Sequence, residues 1–72
     1  MESMFRIKEL RKAQNLSQQA LAEKIGYKSG AAITMWETGA RNPPSRILPQ
    51  LAAVFQCAVE DLFVSADTQN SA

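Results

Sequence analysis

The sequence predicts an all-α domain of five short helices. Three observations carry that expectation. Apolar residues recur three or four positions apart: Leu21 and Ile25, Ile33 and Trp36, then Ile47, Leu48, Leu51, Val54 and Phe55. That is the spacing of one helix face. Residue types that start and stop helices punctuate the chain at Ser17, Gly26, Gly39 and Pro43-Pro44. No segment alternates apolar and polar residues as a half-buried strand would, and no internal repeat is visible.

Each element follows from its residues. Residues 1–3 read as loose. Residues 5–14 read as the first helix, with Ile7, Leu10 and either Met4 or Phe5 on one face. Asn15-Leu16-Ser17 is the turn, and Leu16, just before the cap, can staple onto Leu21. Ser17 suits an N-cap for a second helix over residues 18–25, because its hydroxyl can accept a free amide of the first turn. Gly26 suits the left-handed position that ends it. A polar turn follows at Tyr27, Lys28 and Ser29. The third helix runs from Gly30 to about Thr38, with Gly39 ending it. Ile33 and Trp36 would pack back on the second helix, where Ala22 is small enough for a close crossing. Two short helices joined by a tight turn form a helix-turn-helix.

The loop ARNPPS, residues 40–45, holds two prolines and cannot continue a helix. A fourth helix is expected from Ser45 or Arg46 to Gln56. Pro49 is tolerable only in its first turn, where amides lack intrahelical partners, so a late start is favoured. A short fifth helix is expected over residues 59–64, with Leu62 and Phe63 inward. Residues 65–72 (SADTQNSA) are polar and aperiodic and read as a disordered tail.

Seventy-two residues suffice for one small domain, here residues 1–64, with a modest core. No apolar run is long enough to span a bilayer, and no signal pattern is present, which implies a cytoplasmic chain without a membrane partner. The single Cys57 cannot form an internal disulfide, in keeping with a reducing compartment. The net charge is +1, but it is polarised. Residues 1–50 hold eight basic and four acidic residues, +4; residues 51–72 hold no basic and three acidic residues, −3. This fits a basic face and ordinary surface charge equally well.

Catalysis is disfavoured. The chain has no histidine, the usual general base near neutral pH, and one cysteine without histidine offers no nucleophilic pair. No ligand cluster suggests a metal, and nothing calls for a cofactor. Cys57, in the turn between the fourth and fifth helices, reads as a packing residue.

The blocks S-Q-x-x-L-A-x-x-I-G and I-x-x-W-E-x-G, within a longer match from Arg6 (RIKELRKAQNLS) to Phe63 (LPQLAAVFQCAVEDLF), resemble the Cro/C1-type helix-turn-helix family of phage repressors and bacterial regulators. The ordered series is specific, whereas S-Q-x-x-L-A alone is weak. The resemblance implies a five-helix lambda-repressor-like domain that binds double-stranded DNA with its third helix. One departure concerns the turn. Many members have six steps from the turn glycine to the isoleucine of the third helix; here Gly26 to Ile33 is seven.

The resemblance also assigns roles. Gln18 matches a glutamine that grips a DNA phosphate beside the amides of a helix start, against a merely solvated role; Gln19 reads as only exposed. Arg41, Asn42 and Arg46 lie around a loop that in the family runs beside the sugar-phosphate backbone, where contacts position the protein; the competing reading is a solvated loop. Arg11 and Glu37 match an internal ion pair between the first helix and the end of the third. Losing one partner of such a pair strands a charge. Trp36 reads as core rather than as a base-stacking residue. The base-facing positions are Gly30, Ala31, Thr34 and Met35, with Lys28 and Ser29 in the turn before. Bidentate base readout needs Arg, Lys, Asn or Gln, and of these only Lys28 qualifies. Ala31, the Thr34 methyl and Met35 instead suit thymine methyl groups.

The sequence therefore points to a DNA-binding transcriptional regulator, foremost a repressor acting as a homodimer. Val59, Leu62, Phe63 and Val64 put more apolar surface on a short segment than one side can bury. No small-molecule effector domain is visible. The rival expectation is an antitoxin-like or protein-interaction module of the same fold, with a toxin or other protein as partner and weak or no DNA binding. The bland third helix and the low net charge favour it; Gln18 and the basic loop oppose it.

Overall fold

Four α-helices and two 3₁₀ segments, with no named strand among the described residues, build the chain in the computed structural model, which describes residues 4–64. The expectations for a loose start and a disordered tail lie outside those residues. Helix α1 spans Ile7–Ala13, α2 Gln18–Lys24, α3 Ala31–Thr38 and α4 Leu48–Phe55. The 3₁₀ segments are Ser45–Ile47, just before α4, and Val59–Leu62 after it.

The caps explain the boundaries. Ser17 Oγ accepts from the amide of Ala20 at 2.9 Å and starts α2. Gly26 and Gly39, both at φ 87°, turn the chain out of α2 and α3 in the left-handed region that glycine enters without cost. Two other left-handed residues, Asn15 (φ 58°) and Gln56 (φ 57°), reverse the chain after α1 and α4. Helix α4 starts later than its apolar pattern. An α-helix running from Ser45 would need the Pro49 amide to bond the Ser45 carbonyl, and proline has none. The chain instead makes a 3₁₀ turn, with Ile47 N donating to Pro44 O at 2.9 Å, and becomes α-helical at Leu48.

The expected fifth α-helix over residues 59–64 is not formed, and four α-helices replace the expected five. Its place is taken by the four-residue 3₁₀ segment Val59–Leu62. The cause is a tie between the two ends of the domain. Arg6 N donates to Leu62 O at 2.6 Å and Val64 N to Met4 O at 2.8 Å, which makes an antiparallel bridge of Phe5 with Phe63. Phe63 is extended there (φ −89°, ψ 149°), so the helix cannot propagate. Arg6 Nη1 adds a bond to Asp61 O at 3.2 Å. Phe63 is accordingly not inward. It is 37% exposed and rests on the Phe5 ring, with centroids 4.8 Å apart.

The core lies where α2, α3 and α4 converge with the start of α1 and the second 3₁₀ segment. Ile7, Leu21, Ile33, Leu51 and Leu62 are its fully buried side chains. Each contributes roughly 1.5–3 kcal/mol by leaving water. Trp36 belongs to this core, 3% exposed, and meets the Tyr27 ring edge-on at 5.5 Å. Leu16 and Cys57 pack partly buried at its margin. Burial pushes the Cys57 thiol up, and the charge of Asp61 adds to the shift; this disfavours the thiolate.

Candidate nucleic-acid interface

The candidate interface is α3 together with the elements that hold it. Along α3, Ile33 and Trp36 turn into the core, while Ala31, Thr34 and Thr38 are exposed and Met35 is half-buried. The outward row is therefore small or apolar, apart from two threonine hydroxyls. Lys28 and Ser29 are exposed before it, and Gly30 is its half-buried N-cap.

Gly30 is where α3 touches the start of α2. A Cβ built on it would lie 3.1 Å from the Gln18 carbonyl carbon, 3.2 Å from Gln18 Cβ and 3.2 Å from Gln19 N. Its role is thus close approach, since its φ of −80° is open to any residue.

The longer turn is held by Gln19. Its Nε2 donates to Lys28 O at 3.1 Å and to Glu23 Oε2 at 2.9 Å, and its Oε1 accepts from Gly30 N at 3.2 Å. The extra residue is thus gathered into a loop bridged by one side chain, with Tyr27 N bonded to Ala22 O at 2.8 Å behind it. Sequence reasoning left Gln19 merely exposed. The signal that could have found it is its place one turn before Glu23, at the mouth of a turn with unpaired amides.

Gln18 is half-buried and faces α3. Its Nε2 donates to Glu37 Oε1 at 3.0 Å, and its Oε1 accepts from Thr34 Oγ1 at 2.8 Å. One Nε2 hydrogen remains beyond the Glu37 bond.

Arg11 and Glu37 form a fork. Arg11 Nε donates to Glu37 Oε2 at 2.7 Å and Nη2 to Oε1 at 3.2 Å. Arg11 Nη1 donates to Leu16 O at 2.8 Å, so the same guanidinium fastens the turn after α1. The side chains are only 10% and 4% exposed, which closes Arg11 to an outside ligand.

Beyond Gly39, Arg41 N donates to Met35 O at 3.2 Å, folding the loop back on the end of α3. Arg41, Asn42 and Arg46 are exposed, and Pro43 between them is buried. Lys28, Arg41 and Arg46 make no side-chain ion pair among the described residues. Arg6 does, with Glu9 at 3.3 Å. Among the described residues no group of acidic, cysteine or histidine side chains could hold a metal ion, and no helix is long and apolar enough to cross a membrane.

This arrangement has known counterparts in sequence. A family model described as helix-turn-helix matches residues 7–62. An uncharacterised HTH-type transcriptional regulator of Archaeoglobus fulgidus is 36% identical over 64 residues, which covers 89% of this chain and 90% of that protein. A second such regulator of the same organism is 36% identical over 59 residues, 82% of each chain. The HTH-type transcriptional activator BcrR of Enterococcus faecalis is 33% identical over 76 aligned positions, 97% of this chain and 37% of that longer protein. No solved structure gives a significant match. The chain belongs to the Cro/C1-type helix-turn-helix family of DNA-binding transcriptional regulators.

Proposed function

We propose that this chain is a sequence-specific double-stranded DNA-binding repressor that works as a homodimer and lays α3 in the major groove. The observation that carries the reading is the joint surface of α2 and α3. The first residue of α2 is hydrogen-bonded to the outward face of α3 through Gln18 and Thr34, and the unpaired cations Lys28, Arg41 and Arg46 bracket α3 in the chain. Ala31, Thr34 and Met35 face base edges in this reading, with Gly30 allowing close approach and Lys28 and Ser29 at the leading edge. Arg41, Asn42, Arg46 and the remaining Nε2 hydrogen of Gln18 take phosphates. Phosphate contacts set register; base edges set sequence. Occupancy of a site that blocks transcription needs no further surface, and that output is repression.

A dimer would place two α3 helices in successive major grooves, about one turn (~34 Å) apart. Among the described residues Met4, Val59, Phe63 and Val64 are the exposed large apolar side chains, at 36–55% exposure, and supply the pairing surface in this reading. The same residues support a second reading, a module that docks on another protein instead of on DNA.

Selection of bound sequences from a random duplex pool, at two salt concentrations, tests the proposal. A recovered motif should contain two symmetric half-sites and weaken with salt as phosphate contacts demand. No enrichment at either salt would transfer the preference to the protein-docking reading.

A further inference from the structure

Glu37 accepts at both carboxylate oxygens. Arg11 reaches Oε2 and Oε1, and Gln18 Nε2 joins on Oε1 at 3.0 Å. An amide carries its donors on nitrogen and only acceptors on oxygen. Beside a carboxylate the nitrogen has to face Glu37, and this fixes the orientation of the whole group. Gln18 Oε1 is thereby turned to Thr34, whose Oγ1 lies 2.8 Å away.

Those two oxygens can bond only if the hydroxyl supplies the proton. The other neighbour of Thr34 Oγ1 is the carbonyl of Gly30 at 3.2 Å, again an acceptor. The hydroxyl has one proton and two inward acceptors, so none is left for a base. What Thr34 presents outward is an oxygen lone pair and a methyl group.

We infer that Glu37, acting through Gln18, fixes Thr34 as a reader with an acceptor and a methyl, and so sets a preference for A·T at the base pair it meets. The major-groove edge of A·T offers an amine donor on adenine and the C5-methyl on thymine. The edge of G·C offers two acceptors on guanine, an amine donor on cytosine and no methyl. The lone pair can accept from adenine or from cytosine, so it is the thymine methyl, met by the Thr34 methyl, that separates A·T from G·C. Gln18 is a positioning residue in this scheme. The buried Arg11, 8% exposed, is the anchor of a relay that ends at the exposed Thr34. The inference rests on the reading of α3 as the base-reading helix.

Two measurements test it. The first needs no DNA: urea midpoints of the wild type, Gln18→Ala, Thr34→Val and the double variant. The relay requires non-additive shifts, because either single substitution removes the same bond. The second replaces thymine by uracil, position by position, in the selected operator. The wild type should lose about fivefold at one position, the low end for a mismatched base pair. In Gln18→Ala and Thr34→Ser that loss should fall below about twofold, with the other positions unchanged. Gln18→Ala that weakens all sequences equally, with full uracil sensitivity retained, overturns the relay, as do additive midpoints in a chain that selects an operator. A wild type that selects no sequence while the midpoints stay non-additive overturns the DNA reading itself, and the base preference with it.

Discussion

Arg11→Ala removes one member of the buried ion pair between α1 and α3, and its cost can be worked from the contacts. Three donors disappear: the two on Glu37, at 2.7 and 3.2 Å, and the one on Leu16 O at 2.8 Å. Glu37, with its side chain 4% exposed, keeps only the Gln18 amide as partner. Breaking a buried pair by removing one member costs about 3–5 kcal/mol. The surviving amide bond argues for the low end, about 3 kcal/mol. A chain of 72 residues has a total stability of about 4–11 kcal/mol, so a quarter or more would be lost.

The assay is urea unfolding followed by the fluorescence of Trp36, which is 3% exposed when folded. With a slope of about 1 kcal/mol per molar urea for a domain this small, the midpoint should fall by about 3 M at unchanged slope. Arg11→Met with Glu37→Leu removes both charges and should recover much of the loss, because the cost lies in the stranded carboxylate rather than in the absence of the bond. A midpoint within about 0.5 M of wild type for Arg11→Ala, accompanied by weaker DNA binding, would refute the structural assignment and make Arg11 a ligand-facing residue.

Gly30→Ala should destabilise by about 1 kcal/mol, since its Cβ would press on the Gln18 and Gln19 backbone at 3.1–3.2 Å; stabilisation in the same urea assay would mean that α3 can shift freely off α2. Arg41→Ala and Arg46→Ala should weaken specific and random duplexes alike, each reducing the slope of log affinity against log salt by about one; unchanged slopes in binding titrations would remove both from the DNA surface. Val64→Asp, at a position 46% exposed, should leave the urea midpoint near wild type and dissociate the proposed dimer in sedimentation equilibrium; a wild-type chain already monomeric at micromolar concentration, on and off DNA, would end the pairing proposal.

What the sequence makes legible here is local. Ser17, Gly26 and Gly39 act within their own turns, and each ends or starts a helix where the residue type alone places it. Ile33 and Trp36 turn inward because their spacing leaves them one face. The fifth element escapes such reading because its conformation is decided 55 residues away, where Arg6 holds Asp61 O. Nothing within residues 59–64 says that Phe63 will be pulled extended onto Phe5. Asn15 and Gln56 enter the left-handed region without the glycine that would announce it. The Arg11–Glu37 pair is visible in the sequence only through a family resemblance, since neither residue has a local partner that marks it.

The two glutamines at the start of α2 show why the candidate interface was the hardest part to read. Both are polar, adjacent and at a helix start, and sequence alone assigns both to solvent or to phosphate. The fold divides them. Gln19 bridges Lys28 and Gly30 and so fixes the path of a turn one residue longer than is common in the family. Gln18 crosses to α3 and ties its outward threonine to the buried pair. An α3 whose outward row is alanine, threonine and methionine has little hydrogen-bonding capacity to mark its own register. A flexible approach would let such a surface slide over many sequences. The rigidity that a bidentate arginine or glutamine would supply at the base edge has to come from behind the helix, and these two side chains are placed to supply it. Specificity in this chain should therefore be more sensitive to substitutions at Gln18 and Gln19 than their distance from the base edges would suggest.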